Sequence, residues 1–210
     1  MRIVVLADNR LKKELLAQGV SEKVELIWLK DIEKINEFTD TDACIDLLFD
    51  PDPARIEILK KMLPGPIFVN SVTTVLRKLP DGFVRFNGWP TFLKNEIIEA
   101  ACLQPATKEK SEVIFSFFNK KIEWTADQPG FISARIVSMI INEAYFACGE
   151  GISSKDEIDV AMKLGTNYPY GPFEWAGLIG TNNIFGLLKE LSSEYKLYEP
   201  ADLLQKEFQL

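Results

Sequence analysis

The feature that most constrains this chain is a change of period near Pro129. Before it, short apolar runs rich in β-branched residues alternate with short helical stretches. After it, apolar residues recur only at helical spacing. Residues 2–7 (RIVVLA) form a continuous apolar run of the kind buried on both faces of a parallel sheet. Residues 10–18 read as a helix closed by Gly19, 24–29 as a second strand, 31–38 as a short helix and 43–49 as a third strand. Residues 53–62 are helical, with Pro53 at the start and Pro64-Gly65 beyond the end. Residues 67–70, 83–86, 97–103 and 121–125 read as further strands, and 113–119 as one more helix. This alternation predicts an α/β unit with a doubly wound parallel sheet over residues 1–126.

Residues 127–210 read as all-helical. Ile132, Ile136, Ile140 and Ala144 fall four apart, an apolar stripe on a helix of several turns ended by Gly149 and Gly151. Ser154-Lys-Asp-Glu157 is a capping box that opens a second helix, stopped at Gly165. Residues 172–178, 183–195 and 201–208 supply the rest.

Composition narrows the partners. The formal net charge of the 210 residues is -7, a field that repels nucleic-acid backbones and argues against a nucleic-acid partner. The three cysteines, Cys44, Cys102 and Cys148, have no metal-ligand spacing and read as reduced, buried thiols. The apolar N-terminal run is too short for a signal segment, and nothing approaches membrane-spanning length. A soluble, cytoplasmic protein with no membrane partner is the expectation.

Three stretches carry a resemblance: PGFISARIVSMIINEA from Pro129, SSKDEIDVAMKLG from Ser153, and NYPYGPFEWAGLIG from Asn167. In order and spacing they are similar to the C-terminal domain of the 3-hydroxyacyl-CoA dehydrogenase family. The resemblance implies a shortened Rossmann-like N-terminal domain and an all-α C-terminal domain of the 6-phosphogluconate/3-hydroxyacyl-CoA dehydrogenase type. It further implies a homodimer formed through the helical domain and an acyl-CoA held between the domains. Tyr168, Pro169, Tyr170, Pro172 and Phe173 would either line an apolar cleft or pack in an interface or core.

Against that resemblance stand losses at the family's working positions. A dinucleotide-binding turn needs glycines where its first strand meets its first helix. Those positions fall at Ala7, Asn9 and Lys12, and Asp8 puts a negative charge where a diphosphate would sit. Residues 84–96 (VRFNGWPTFLKNE) resemble the family's HFFNPxPxMxLVE segment, aligned without a gap. Phe86, Asn87, Pro90 and Glu96 match, but Val84 stands at the histidine, and the chain contains no histidine. Valine cannot take a hydroxyl proton, and neighbouring Arg85 is a poor base. Asn70-Ser71-Val72-Thr73 resembles the family's serine region, with a hydroxyl at Ser71 or Thr73, and Ala134 stands at the asparagine of PGFIxNR.

The resemblance therefore leaves Ser71, Asn87 and Glu96 as remnants of a catalytic set and leaves no cofactor-binding residue. The expectation is a 3-hydroxyacyl-CoA dehydrogenase-like pseudoenzyme that retains binding of an acyl-CoA or small acid. No cofactor is expected; NAD enters only if that reading is wrong. One alternative is an active oxidoreductase using Glu96, or a water held by Asn87, as its base. Another is a non-catalytic dimeric scaffold or regulatory partner in acyl-CoA catabolism. Lysines 12–13, 60–61 and those within 108–120 would neutralise CoA phosphates or simply solvate helix faces.

Overall fold

A computed structural model describes residues 1–38 and 40–208. The chain divides into two compact units, Met1–Phe131 and Ile132–Leu210.

The first unit is built on one seven-stranded sheet in the order β2-β1-β3-β4-β5-β6-β7. The strands are β1 (Arg2–Leu6), β2 (Glu25–Leu29), β3 (Ala43–Asp46), β4 (Ile67–Asn70), β5 (Phe83–Phe86), β6 (Ile97–Ala101) and β7 (Lys121–Trp124). Helices α1 (Asn9–Leu15), α2 (Pro53–Leu59) and α3 (Pro105–Ser116) connect them, with 3-10 turns at Ile32–Glu37, Lys60–Met62 and Leu76–Lys78. β1 to β5 are parallel, with β1 in register against β2 (Val4 opposite Ile27) and β3 (Val4 opposite Cys44).

The sheet is not wholly parallel, as the sequence pattern implied. β6 runs antiparallel to β5, pairing Arg85 with Ala101, and β7 follows β6 in parallel. The cause lies in residues 87–96. A parallel crossover needs a dozen or more residues, usually including a helix, to return over the sheet. Residues 87–96 form only turns, tied by Phe92 N–H to Trp89 O and Asn95 N–H to Phe92 O, so the chain doubles back beside β5.

Strand alternation sorts two interiors. Ile3, Val5, Ala43, Ile45, Phe68, Val84, Phe86, Ile98 and Ala100 share one apolar core with Leu11 and Leu15 of α1 and Ile114 and Phe115 of α3. The intervening residues of β1, β3, β4 and β5, among them Val4, Leu6, Cys44, Asp46, Ile67, Val69 and Arg85, are buried on the opposite face. α3 begins at Pro105, earlier than the pattern 113–119 indicated. Its first turns are polar, so periodicity found only the apolar last turn, whereas Pro105 at the first helical position marked the start.

The second unit holds α4 (Ser133–Gly149), α5 (Lys155–Thr166), α6 (Pro172–Ile179), α7 (Thr181–Ser192) and α8 (Asp202–Phe208). Its core face of α4 is Ala134, Val137, Ser138, Ile141, Ala144 and Tyr145. The stripe at Ile132, Ile136 and Ile140 is a different one: Ile132 and Ile136 are exposed and Ile140 is half-buried. α4 is apolar around much of its circumference, so spacing alone could not choose the inward face. Residues 127–131, expected at the start of the helical domain, pack with the sheet, because Arg85 binds Asp127 and Gln128 and Gly130 N–H donates to Val72 O. Among the described residues no helix is long and apolar enough to cross a membrane.

Candidate functional site

In an open α/β sheet the ligand crevice lies beyond the carboxyl ends of the strands where the order reverses. Here that point is between β1 and β3. Asp8 leaves β1 and becomes the N-cap of α1, its Oδ1 accepting the Leu11 N–H at 2.7 Å. Its carboxylate satisfies an amide that a phosphate would otherwise use. Of the three aligned glycine positions, Ala7 is buried in the core, and Asn9 and Lys12 lie on α1. The Lys12 ammonium lies over the Trp28 ring of β2 at 4.3 Å, a cation–π contact at the flank of the same crevice.

β3 ends in a fully buried Asp46. Arg55 of α2 grips it as a fork, with Nε to Oδ2 and Nη2 to Oδ1 both at 2.7 Å, and the Leu48 N–H adds a bond of 3.0 Å to Oδ1. Burial pushes the Asp46 carboxyl up, and the Arg55 fork opposes that rise. Burial likewise pushes the Cys44 thiol well up, which makes it an inert core thiol. Asn70, at the end of β4, spans the neighbouring loops: its Nδ2 donates to Leu47 O at 3.1 Å and its Oδ1 accepts the Gly88 N–H at 3.0 Å.

The candidate residues of the 84–96 segment do not come together. Val84 is fully buried among the core residues that face α1 and α3. Glu96 lies at the surface just before β6, paired with Lys121 at 2.8 Å, both side chains more than half exposed. That hydrogen bond holds its carboxyl below the usual value, the opposite of the upward tuning a general base near neutrality needs. Asn87 is buried and meets a different carboxylate: its Nδ2 donates to Glu99 Oε2 at 3.1 Å, and its Oδ1 accepts the Trp89 N–H at 3.3 Å.

Glu99 was missed because the segment was aligned without a gap. The antiparallel return of β6 sets Glu99, three residues beyond Glu96, across from Asn87, whose backbone N–H also donates to Glu99 O at 2.9 Å. The run Ile97-Ile98-Glu99 carried a signal, since a lone acid inside an apolar strand calls for a polar partner. Ser71 is buried and its hydroxyl donates to Thr74 O at 2.8 Å, a local turn bond, while Thr73 is half-exposed. Arg85 is wholly buried; burial lowers its pKa and Asp127 opposes the shift, so it stays charged and offers no base.

In the helical unit the three resembling stretches have a shared physical basis. Ser154 and Glu157 cap α5 reciprocally, and their hydrogen bonds push the Glu157 carboxyl down to about 2. Asp159, from the IDVAMK stretch, is buried and caps α6 across space, accepting the Phe173 N–H at 2.8 Å and the Glu174 N–H at 3.0 Å. Only glycine fits at Gly171, because a Cβ there would lie 2.3 Å from the Asp159 carboxyl carbon. The aromatic residues pack on one another: Tyr168 and Tyr170 on Trp175 at 6.1 and 5.8 Å, and Phe173 on Tyr145 at 4.9 Å. The Tyr145 hydroxyl donates to Glu207 Oε2 at 2.8 Å, and Glu207 also pairs with Lys155. Ala134 is fully buried on the core face of α4, where an alkyl group suits the packing. Among the described residues no cluster of side chains is arranged to hold a metal ion.

Residues 130–210 match the family model described as 3-hydroxyacyl-CoA dehydrogenase, C-terminal domain. The 3-hydroxyadipyl-CoA dehydrogenase of Escherichia coli is 38% identical over 112 residues, covering 52% of this chain and 24% of that protein. A 3-hydroxybutyryl-CoA dehydrogenase of Bradyrhizobium diazoefficiens is 26% identical over 218 residues, covering 95% of this chain and 74% of that protein. The chain thus spans about a quarter of the first relative and about three quarters of the second. The crystal structure of (S)-3-hydroxybutyryl-CoA dehydrogenase PaaH1 from Ralstonia eutropha superposes with a TM-score of 0.73 at 20% identity, covering 98% of this chain and 92% of that one, which shows a common fold. Residues 130–210 thus form a domain of the 3-hydroxyacyl-CoA dehydrogenase C-terminal type, and the chain as a whole is similar in sequence and fold to dehydrogenases of that family.

Proposed function

We propose that this 3-hydroxyacyl-CoA dehydrogenase-like protein is a pseudoenzyme, which binds an acyl-CoA or related small acid and transfers no hydride to NAD. The observation that carries the reading is the seat of Asp8. A dinucleotide diphosphate needs amides free to receive it and a backbone it can approach. At this turn a carboxylate holds the Leu11 N–H, Asn9 and Lys12 carry side chains where glycines would open the approach, and α1 runs only from Asn9 to Leu15. These residues do not fit NAD. Val84, buried in the core, supports the same reading, since no titrating group stands at the family's histidine position. An active enzyme using Glu96 as its base is disfavoured by that residue's exposure and its Lys121 partner.

Calorimetric titration with acetoacetyl-CoA and, separately, with NADH tests the reading. Heat from the thioester and none from NADH is the expected result. NADH binding with a dissociation constant in the micromolar range, about -8 kcal/mol, overturns it.

A homodimer formed through the helical unit completes the proposal. α4, α5 and the start of α6 frame a groove of about 410 Å³ lined by Met139, Ile140, Ala144, Ala147, Ile158, Met162 and Pro172, with Glu143 as the one charged residue of the lining. Ile136, Val160 and Leu164 on α4 and α5 are also exposed, Leu164 at 83%. An apolar surface of this kind on a chain with net charge -7 suits a second copy of itself. Sedimentation at micromolar concentration should give the mass of two chains, and L164E together with I136D should give one. A monomeric wild type removes this part of the proposal.

A further inference from the structure

Arg85 heads the fully buried side chains by volume, and four acceptors converge on its guanidinium. Its Nε donates to Ser71 O at 2.9 Å, and Nη2 to Val72 O at 2.9 Å and Gln128 O at 3.2 Å. Nη1 meets Asp127 Oδ1 at 2.9 Å, and the Phe131 ring lies 4.2 Å from the guanidinium carbon. Asp127 is shared: its Oδ1 and Oδ2 also accept the Leu76 N–H, at 3.0 and 2.9 Å. One cation thus closes a ring of contacts joining the turn at residues 71–76 to the strap at residues 127–131. Neither the strap nor residues 71–75 contain any helix or strand.

Segments of this kind have little stability of their own and take it from tertiary contacts. Three carbonyls and a carboxylate arranged around a planar fork form a guanidinium receptor, which the chain fills with its own side chain. We propose that Arg85 is an internal staple: a guanidinium seated between the 71–76 turn and the 127–131 strap, on whose presence the order of both depends. The turn carries Ser71 and Thr73, and the strap leads directly into Ile132 and α4. The staple therefore fixes the candidate hydroxyl turn and the strap together. This inference is independent of the function proposed above.

The test uses the full-length R85A variant, followed by hydrogen exchange and thermal unfolding with and without added guanidinium. Amides within 71–76 and 127–131 should exchange faster together, by about tenfold or more, while β1 and β3 keep their protection. The lost melting temperature should return in part with about 10 mM guanidinium chloride but not with equal sodium chloride, because a ligand bound only by the folded state stabilises it. R85M, which fills the space with an uncharged chain, should melt low and show no rescue. Loosening confined to residues beside position 85, loosening spread evenly over β1 to β4, or rescue absent in R85A would each overturn the proposal. If R85A does not fold, R85K answers the same question: it keeps the charge without the fork, so unchanged exchange at both segments would contradict the staple.

Discussion

Replacing Gly171 by alanine probes the physical basis of the family's helical signature. The backbone at Gly171 (φ -71°, ψ 160°) is ordinary for alanine, so the substitution brings no backbone strain. The added Cβ would lie 2.3 Å from the Asp159 carboxyl carbon and Oδ1 and 2.4 Å from its Cβ. Asp159 is only 7% exposed and cannot swing into water without leaving the Phe173 and Glu174 amides, which it binds at 2.8 and 3.0 Å. Losing a helix cap costs about 0.5–2 kcal/mol and the crowding left by the new Cβ adds to it, so G171A should cost roughly 3 kcal/mol. D159A, which abandons the same amides, should cost roughly 2 kcal/mol. The double variant discriminates, because the clash disappears once the carboxylate is gone. Its cost should stay near that of D159A, about 2–3 kcal/mol, rather than the sum of about 5 kcal/mol. Urea unfolding followed by circular dichroism measures all three. Additive costs would falsify the steric coupling.

Three further outcomes follow from the first unit. Lys120 is buried, its ammonium donating to Leu93 O and Asn95 O at 2.7 Å each, and burial lowers its pKa to about 8 although Glu14 opposes the shift. Below about 8 both folded and unfolded chains carry this proton; above it the unfolded chain holds more, so Lys120 makes stability rise from about 8 toward 10.5. The slope is read as the difference between wild type and K120M, since the raised pKa values of Cys44 and Tyr145 act in the opposite sense above their ordinary 9.0 and 10.0. An identical pH dependence in both chains would refute this role. N87A should lower unfolding stability by about 1–3 kcal/mol by leaving Glu99 and the Trp89 amide without this side chain. E96Q, at an exposed pair with Lys121, should leave the denaturation midpoint unchanged, and the reverse ranking would make Glu96 rather than Glu99 the acid that matters to this segment.

The legible parts of the molecule were those with local chemical signals. The apolar run of β1, Pro53 at the head of α2, and the Ser154–Glu157 box could each be read because one residue's chemistry fixes its neighbour's backbone. The antiparallel turn of β6 could not, since it depends on residues 87–96 failing to make a helix, and no single residue there announces that. Glu99 was hidden for the same reason, as its nearness to Asn87 comes from pairing across strands. The Arg85 ring joins residues 71, 72, 127 and 128, and the sequence alone gave only a basic residue in a strand, without its acceptors. Asp8 was legible in part: its charge at the strand–helix turn could be read, while its place as the N-cap that holds the Leu11 amide came only with the structure.

The central question for this molecule is whether the dehydrogenase-like scaffold persists without its redox chemistry. The direct measurement is turnover of 3-hydroxybutyryl-CoA by the purified chain with saturating NAD, followed by NADH absorbance. A scaffold without its proton acceptor and nucleotide seat should give no rate above the enzyme-free background. Steady NADH formation on the order of 1 per second or faster, within the ordinary range of enzymes, would contradict it.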